Sequence, residues 1–375
     1  MLEGVRLNYN ERIKRATDLM KTNNLDAIVL SRSSESRSLC YLTGVDRYCA
    51  TLVLHKDGSN TLLILEQDLI DAKEKAYADE VKIFNSSKSH YEAILEAITK
   101  NGLTKGTIGI EKPFLRHDFY ESFRGNLPNA FQIINAVNIT GQLRLIKSKE
   151  EIQLIKKASI IASKTMGSVA TSIEQGVREN ELAAIAEYEL RKNGAEESAT
   201  VTFISSGKRT QAAHPPASSR KLKPGDFVLV DVHPRIQGYC SDLGATFIVN
   251  DSNQKLIDNL KQVLEARDKA IQNIKIGEKV SKIHLSYSNQ LTNKGFIYPP
   301  IPYFTCSIHG IGISSNDPPS FWYPIDIDIK PGIVFAFAEA PTRSILNKEL
   351  GIRFEDTYLV TEEGVEKLTT FQTDF

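Results

Sequence analysis

"DFVLVDVHPRIQGYCSDLGATFIV", residues 226–249, decides how the C-terminal part of the chain folds. Residues 227–232 are β-branched or aromatic apart from Leu229 and one acid, Asp231, and a second run of this kind follows Asp242. Both runs read as strands, and Pro234 and Gly238 between them mark a turn. A strand, a turn and a return strand of these lengths could bring Asp231 and Asp242 to one sheet face. Close carboxylates repel unless a cation lies between them or one takes up a proton. The same letters fit a strand-end cap followed by a turn residue, and spacing alone does not choose.

Working outward, "VTFISSG" before this stretch and "IVFAFAEAP" and "DTYLVT" after it have the same strand character. Helical spacing appears over 254–274 and 283–291. Upstream, Ser148 and Glu151 have capping-box spacing for a helix that puts Ile152, Ile155, Ala158 and Ala162 on one face. A second helix carries Leu182, Ile185 and Leu190 and ends at Gly194. This order predicts an α+β unit with a largely antiparallel sheet. The N-terminal part reads differently. A helix with Ile13, Ala16, Leu19 and Met20 on one side precedes strands at 27–30, 51–54 and 61–65, a helix over 91–98, and strands near Ile108 and Ile133. This is an α/β unit. Two domains, 1–140 and 141–375, are expected from a chain of 375 residues.

Lysine plus arginine balances aspartate plus glutamate at 46 each, which argues against a nucleic-acid or anionic-membrane partner. The densest basic cluster, residues 220–223, is short and has no interleaved aromatics. The N-terminus is too charged for a signal peptide, and prolines interrupt the uncharged run 295–316, so no membrane span is expected. Cys40, Cys49, Cys240 and Cys306 are far apart, which fits reduced thiols and a cytoplasmic protein.

Two more acids stand in apolar surroundings, Glu339 in "FAFAEAP" and Glu355 in "GIRFEDTYLV". An acid entering an apolar strand is costly unless paired. Arg353 shares a strand face with Glu355 and would pair it, while a surface exit from the strand is the plain reading of Glu339. His309, in "SIHGIG", would alone be a turn or core histidine. With Asp231, Asp242, Glu339 and Glu355 it makes four carboxylates and one imidazole, too oxygen-rich for structural zinc and suited to a pair of divalent ions. The adjoining glycines would let the backbone approach ions or substrate.

The residues resemble the pita-bread metallopeptidases, the family that includes Xaa-Pro dipeptidase (prolidase), aminopeptidase P and methionine aminopeptidase. Nearly the whole chain takes part: "YLTG" is similar to the prolidase-type N-terminal domain, and "LRLIKSKEEI", "GVRENELAAIAEYELRKNGAEE", "SSGKRTQAAHPPASSRKLKPGDFVLVDV", "CSDLGATF", "SIHGIG" and "GIRFEDTYLV" follow in the family's order. The resemblance implies a creatinase-like α/β N-terminal domain and a pita-bread catalytic domain. It implies that Asp231, Asp242, His309, Glu339 and Glu355 bind two divalent ions (manganese, cobalt, iron or zinc). It also implies that Glu339 is a general base, that His214 holds the substrate and its tetrahedral intermediate, and that Arg353 supports the last ligand. The expected activity is hydrolysis of the Xaa-Pro bond, in dipeptides, by a metal-bridging hydroxide in a homodimer. Aminopeptidase P action on longer Xaa-Pro peptides and a catalytically impaired peptide- or protein-binding module are the alternatives. Creatinase-like hydrolysis of a guanidino compound needs no metal and would not keep this carboxylate set.

There are departures from the family pattern. Asn316 and Asp317 stand where the family reads His-Glu, so substrate contact there falls to Asn316. Glu339 comes seven residues after Gly332 and the family glutamate six, so a β-bulge is needed or Ala338 takes the ligand position. Gly244 and Ala245 replace a Thr-Arg, and His233 stands where glycine is usual. An added contact to metal or substrate is one reading of His233, and a packed histidine is the other.

Overall fold

The computed structural model describes residues 5–31, 36–46, 49–250, 254–296, 308–320, 326–338 and 351–373. Two compact units emerge, one of Arg6–Arg144 and one of Leu145–Phe375 together with Met1–Val5.

The first unit alternates strands β1 (Ala27–Ser31), β2 (Thr51–His55), β3 (Asn60–Leu65), β4 (Glu80–Phe84), β5 (Gly106–Ile110) and β6 (Phe131–Asn135) with helices. These are α1 (Tyr9–Thr22), α2 (Ser38–Thr43), α3 (Leu69–Lys75), α4 (Ser87–Thr99), α5 (His117–Asn126) and α6 (Val137–Leu145). The sheet order is β4-β3-β2-β1-β5-β6, antiparallel through β3-β2-β1 and parallel at both flanks. Helices are needed only at the flanks, because parallel neighbours require a crossover. One side of the sheet buries Val29, Val53, Leu63 and Ile108 against Ile94, Ala97 and Ile98 of α4 and Phe123 of α5. The sequence reading does not predict the four helices α2, α3, α5 and α6.

The second unit opens with α7 (Lys149–Ala170) and α8 (Glu179–Lys192). Ser148 and Glu151 cap α7 reciprocally, Ser148 N–H donating to Glu151 Oε2 at 2.7 Å and Glu151 N–H to Ser148 Oγ at 3.3 Å. Gly194 takes a φ of +103° just past the C-cap of α8, as the sequence predicts for a helix stop. There follow β7 (Glu197–Ser198), β8 (Phe203–Ser206), β9 (Phe227–Val232), β10 (Pro234–Ile236), β11 (Tyr239–Cys240) and β12 (Leu243–Ile248). Helices α9 (Gln254–Gln272) and α10 (Ser281–Asn293) precede β13 (Ile308–Gly310), β14 (Val334–Ala338), β15 (Glu355–Thr361) and β16 (Gly364–Lys367). The main sheet runs β13-β14-β15-β12-β9-β8 with β16 on β15, and every pair is antiparallel. Among the described residues no helix is long and apolar enough to cross a membrane.

The stretch that opened the sequence reading is not a single hairpin. β9 hands over at Pro234 to β10, which pairs with β7 and β11 in a separate small sheet. Pro234 is therefore a strand residue opposite Ser198, not a turn former. The turn is Gln237-Gly238, both at positive φ (45° and 83°), which matches the two-residue hairpin geometry that right-twisted strands favour. This detour returns the chain to β12 with Gly244 opposite Asp231.

The main sheet's two faces divide the labour. One face is apolar: Val228, Val230, Val232, Leu243 and Ala245 pack on Ala162, Met166 and Val169 of α7 and Leu182 and Ala186 of α8. Farther along, Phe335, Phe337, Phe354, Tyr358 and Val360 pack with residues of α9 and α10, and Tyr287 meets Phe337 edge to face at 5.2 Å. Because side chains alternate across a strand, this apolar side leaves Asp231, Gly244, Glu355, Thr357, Ala336, Ala338 and His309 on the other.

Candidate metal centre

Register brings the acids together. Asp231 of β9 lies opposite Gly244 of β12, and Gly244 lies opposite Glu355 of β15. A glycine between two acid-bearing strands leaves room: a Cβ at position 244 would come 2.8 Å from Arg353 Cγ and Cδ and 3.1 Å from Glu355 Cβ. Asp242, two residues before Gly244, is pinned to β15 by its own backbone. Its N–H donates to Thr357 Oγ1 at 3.0 Å, and that hydroxyl donates to its carbonyl oxygen at 2.9 Å. Thr246 does the same for Arg353, accepting from its N–H at 2.8 Å and donating to its carbonyl oxygen at 2.9 Å.

His309 sits on β13 opposite Ala336, and its Nε2 lies 3.1 Å from Glu355 Oε1 and 3.9 Å from Asp242 Oδ2. Arg353 Nη1 binds Asp231 Oδ2 and lies 3.4 Å from Glu355 Oε2, while its Nη2 donates to Ala213 O at 2.7 Å. One guanidinium therefore lies against both carboxylates. His233 adds a group that the sequence left open, with Nε2 3.3 Å from both Asp231 Oδ1 and Asp242 Oδ1. Among the described residues two sets of possible ligand atoms result, Asp231-His233-Asp242 and Asp242-His309-Glu355, and each set lies within 4.8 Å.

Burial sets the electrostatics. Asp231 is fully buried, and desolvation pushes its carboxyl up to about 7 against the pull of His233 and Arg353. For His233 desolvation works the other way, but Asp242 and Asp231 outweigh it and raise the imidazole to about 9. Asp242, also desolvated, is nevertheless held below the usual carboxylate range by the His233 charge. His309 is raised in spite of its own desolvation, by the hydrogen bond and charge of Glu355. The buried acids thus raise both imidazoles, and the charge of His233 in turn lowers Asp242.

The remaining candidates lie around this cluster. His214 is exposed on its open side, stacks at an angle on Phe203 at 5.1 Å, and has its pKa lowered by desolvation from the protein around it and by the Arg353 charge. Asn316 is exposed in the turn after β13, its N–H donating to Ser314 Oγ at 3.3 Å. Glu339 lies outside the described residues. What the structure describes is the register beside it. β14 pairs β15 without an inserted residue from Val334↔Leu359 to Ala338↔Glu355, so the position directly across from Glu355 on the cluster's face belongs to Ala338.

The glycines beside His309 serve a different purpose from the one expected. A Cβ on Gly310 would meet the backbone of Asp317 and Pro318, with Asp317 O at 2.6 Å, and one on Gly312 would meet the Asp317 carboxylate and Lys147 Cε, the latter at 3.0 Å. The chain's own turn fills this space. Asp317 N–H donates to Gly310 O at 2.9 Å, and the buried Asp317 carboxylate lies 3.6 Å from Lys147 Nζ. Sequence reading also missed Glu179, a fully buried acid in the first turn of α8. Its Oε1 accepts from Ser206 N–H and Oγ at 2.8 and 2.7 Å, and its Oε2 accepts from Ser218 N–H and Oγ at 3.0 and 2.6 Å and from Arg209. It closes the segment that carries His214, and its partners are too scattered in sequence for any local pattern to have tied them to it.

Comparison with known proteins gives a consistent result. Residues 153–362 match the metallopeptidase family M24, and residues 12–146 match the creatinase/prolidase N-terminal domain. The Xaa-Pro dipeptidase of Pyrococcus horikoshii is 29% identical over 96% of this chain and 97% of its own, and that of Pyrococcus furiosus is 30% identical over the same shares. The crystal structure of the prolidase from Pyrococcus horikoshii superimposes with a TM-score of 0.83 at 28% identity, covering 97% of this chain and 99% of the other.

Proposed function

Since the chain belongs to metallopeptidase family M24, with a creatinase/prolidase N-terminal domain ahead of a pita-bread catalytic domain, we propose that this metallopeptidase hydrolyses the Xaa-Pro bond of dipeptides with two divalent ions. One observation carries the reading: Asp231 of β9, Asp242 just before β12, His309 of β13 and Glu355 of β15 gather at one place, with Asp231 Oδ1 and Asp242 Oδ1 buried and without a hydrogen bond among the described residues. Burying charge costs several kcal/mol per group even where a partner is near, so three buried carboxylates gathered in this way are poorly explained as structure alone. Oxygen ligands with imidazole and no thiolate suit manganese, cobalt, ferrous iron or zinc. Relatives at 29% and 30% identity over nearly the full length support the Xaa-Pro preference.

When bound, divalent ions supply Lewis acidity to a scissile carbonyl and lower the pKa of a water. The chain's own residues set up the rest. Arg353 takes Asp231 Oδ2 and faces Glu355 Oε2, which leaves Asp231 Oδ1 and Glu355 Oε1 turned to the histidines. His214, with its depressed pKa, is uncharged at neutral pH and stands at the rim to hydrogen-bond the substrate's carbonyl oxygen. Asn316 in the β13 turn offers the substrate an amide. Glu339, outside the described residues, is the proposed general base. A homodimer in which the N-terminal domain limits substrate length is part of the proposal, and light scattering tests it.

Ala338 across from Glu355 favours a second reading, a peptide-binding module with impaired catalysis. One assay separates these. Xaa-Pro dipeptides and longer Xaa-Pro peptides are offered with manganese or cobalt to the parent protein and to Glu355→Ala. Dipeptide turnover lost in the variant supports the proposal, whereas turnover of the longer peptides alone selects the aminopeptidase. Equal turnover by both proteins refutes the metal reading, and peptide binding without turnover selects the module.

A further inference from the structure

His233 is the group that the family resemblance leaves without a task. Its side chain is 4% exposed, yet Nδ1 has no hydrogen-bond partner among the described residues, and Nε2 points between Asp231 Oδ1 and Asp242 Oδ1 at 3.3 Å from each. Among the described residues those two oxygens have no aligned hydrogen bond either. A charge-assisted N–H···O bond would close to about 2.7–2.9 Å, so the three atoms form an open triangle where a satisfied core histidine would show a tight pair. Phe203 meets the ring edge-on at 5.8 Å, and the His233 backbone is fixed through its carbonyl oxygen, which accepts from Ala199 N–H at 2.6 Å.

The arrangement repeats on the other side of Asp242. Oδ1 of Asp242 faces His233, and Oδ2 faces His309 at 3.9 Å. Arg353 holds the far oxygens of Asp231 and Glu355, so each lobe presents one imidazole, one outer carboxylate oxygen and one oxygen of the shared Asp242. We propose that His233 is a nitrogen ligand to the ion held with Asp231 and Asp242, so that each of the two ions has its own imidazole. The consequence is a shift in metal preference. A second imidazole favours cobalt, zinc or nickel over manganese relative to a site with carboxylates alone.

The inference rests on the metal reading above, and the test separates the two. Metal-free protein is titrated with Co(II) by calorimetry and visible absorption, as the parent chain and as His233→Gly, His233→Gln and His309→Gln, with circular dichroism as the folding control. The parent should take up two Co(II). His233→Gly and His233→Gln should each weaken one of the two events by at least about tenfold and alter the cobalt spectrum, while His309→Gln weakens the other event. Two parent-like events in both folded His233 variants, or tighter binding once the imidazole is gone, would overturn the role of His233 and leave the metal centre standing. No Co(II) uptake by the parent protein would overturn both.

Discussion

Glu179→Gln tests how the His214 segment is held. Glu179 accepts five hydrogen bonds in a site without solvent, three of them from Ser206 and Ser218 hydroxyls or Arg209 and two from backbone N–H groups. A glutamine amide in the same place has one acceptor oxygen, so whichever way it lies, its NH2 opposes either the Ser206 or the Ser218 N–H. The hydroxyls can rotate to accept, but that backbone donor cannot. A buried unsatisfied N–H costs about 1–3 kcal/mol, and weakening the other bonds from charge-assisted to neutral adds about 1 kcal/mol. The Arg209 pair is discounted because that side chain is 33% exposed and keeps Ser218 Oγ and Pro216 O as acceptors. The sum is about 3 kcal/mol of local stability, or roughly 100-fold in the opening equilibrium. Hydrogen exchange of peptides spanning 206–218 in the whole chain reads this directly, with peptides of β1 and β2 as internal controls. Exchange within threefold of the parent would refute the reasoning, since it would mean that the buried carboxylate does not hold the segment.

Two further outcomes are expected. Gly310→Ala should cost about 3 kcal/mol or more, because its Cβ would meet the Asp317 and Pro318 backbone, which cannot rotate away, and by displacing His309 it should also weaken Co(II) binding; an unchanged urea midpoint together with unchanged Co(II) uptake would contradict this. In the first unit, His90 is buried, stacks on Phe84 at 3.9 Å and bonds Thr51, and burial lowers its pKa from 6.5 to about 4. The unfolded chain then binds the extra proton between those values, so the stability His90 contributes is complete above pH 6.5 and falls by about 3 kcal/mol as the pH drops towards 4. Urea titrations from pH 7 to 4 should show this slope flattened in His90→Phe, and an equal slope in both proteins would count against it.

Strong local patterns were enough for much of the fold. Ser148 and Glu151 cap α7 as their spacing predicts, Gly194 stops α8, and the apolar runs around Asp231 and Asp242 became strands β9 and β12. Each of these is dictated by neighbours within a few residues, through capping bonds, φ preference or face alternation. The short helices α2, α3, α5 and α6 were missed because brief elements owe their stability to packing more than to propensity. Pro234 was misread for a related reason, since its strand partner Ser198 lies far back in the chain.

The candidate site divides in the same way. The sequence by itself singled out Asp231, Asp242, Glu339 and Glu355 as candidates, because acids inside apolar runs are costly and therefore conspicuous in the letters. Only the tertiary structure decided their pairing: that Gly244 clears space for Arg353, that Asp242 turns one oxygen to each histidine, that the glycines beside His309 receive the chain's own turn, and that Ala338 faces Glu355. Those facts depend on register between strands distant in sequence, and a shift of one residue would put every such side chain on the opposite face.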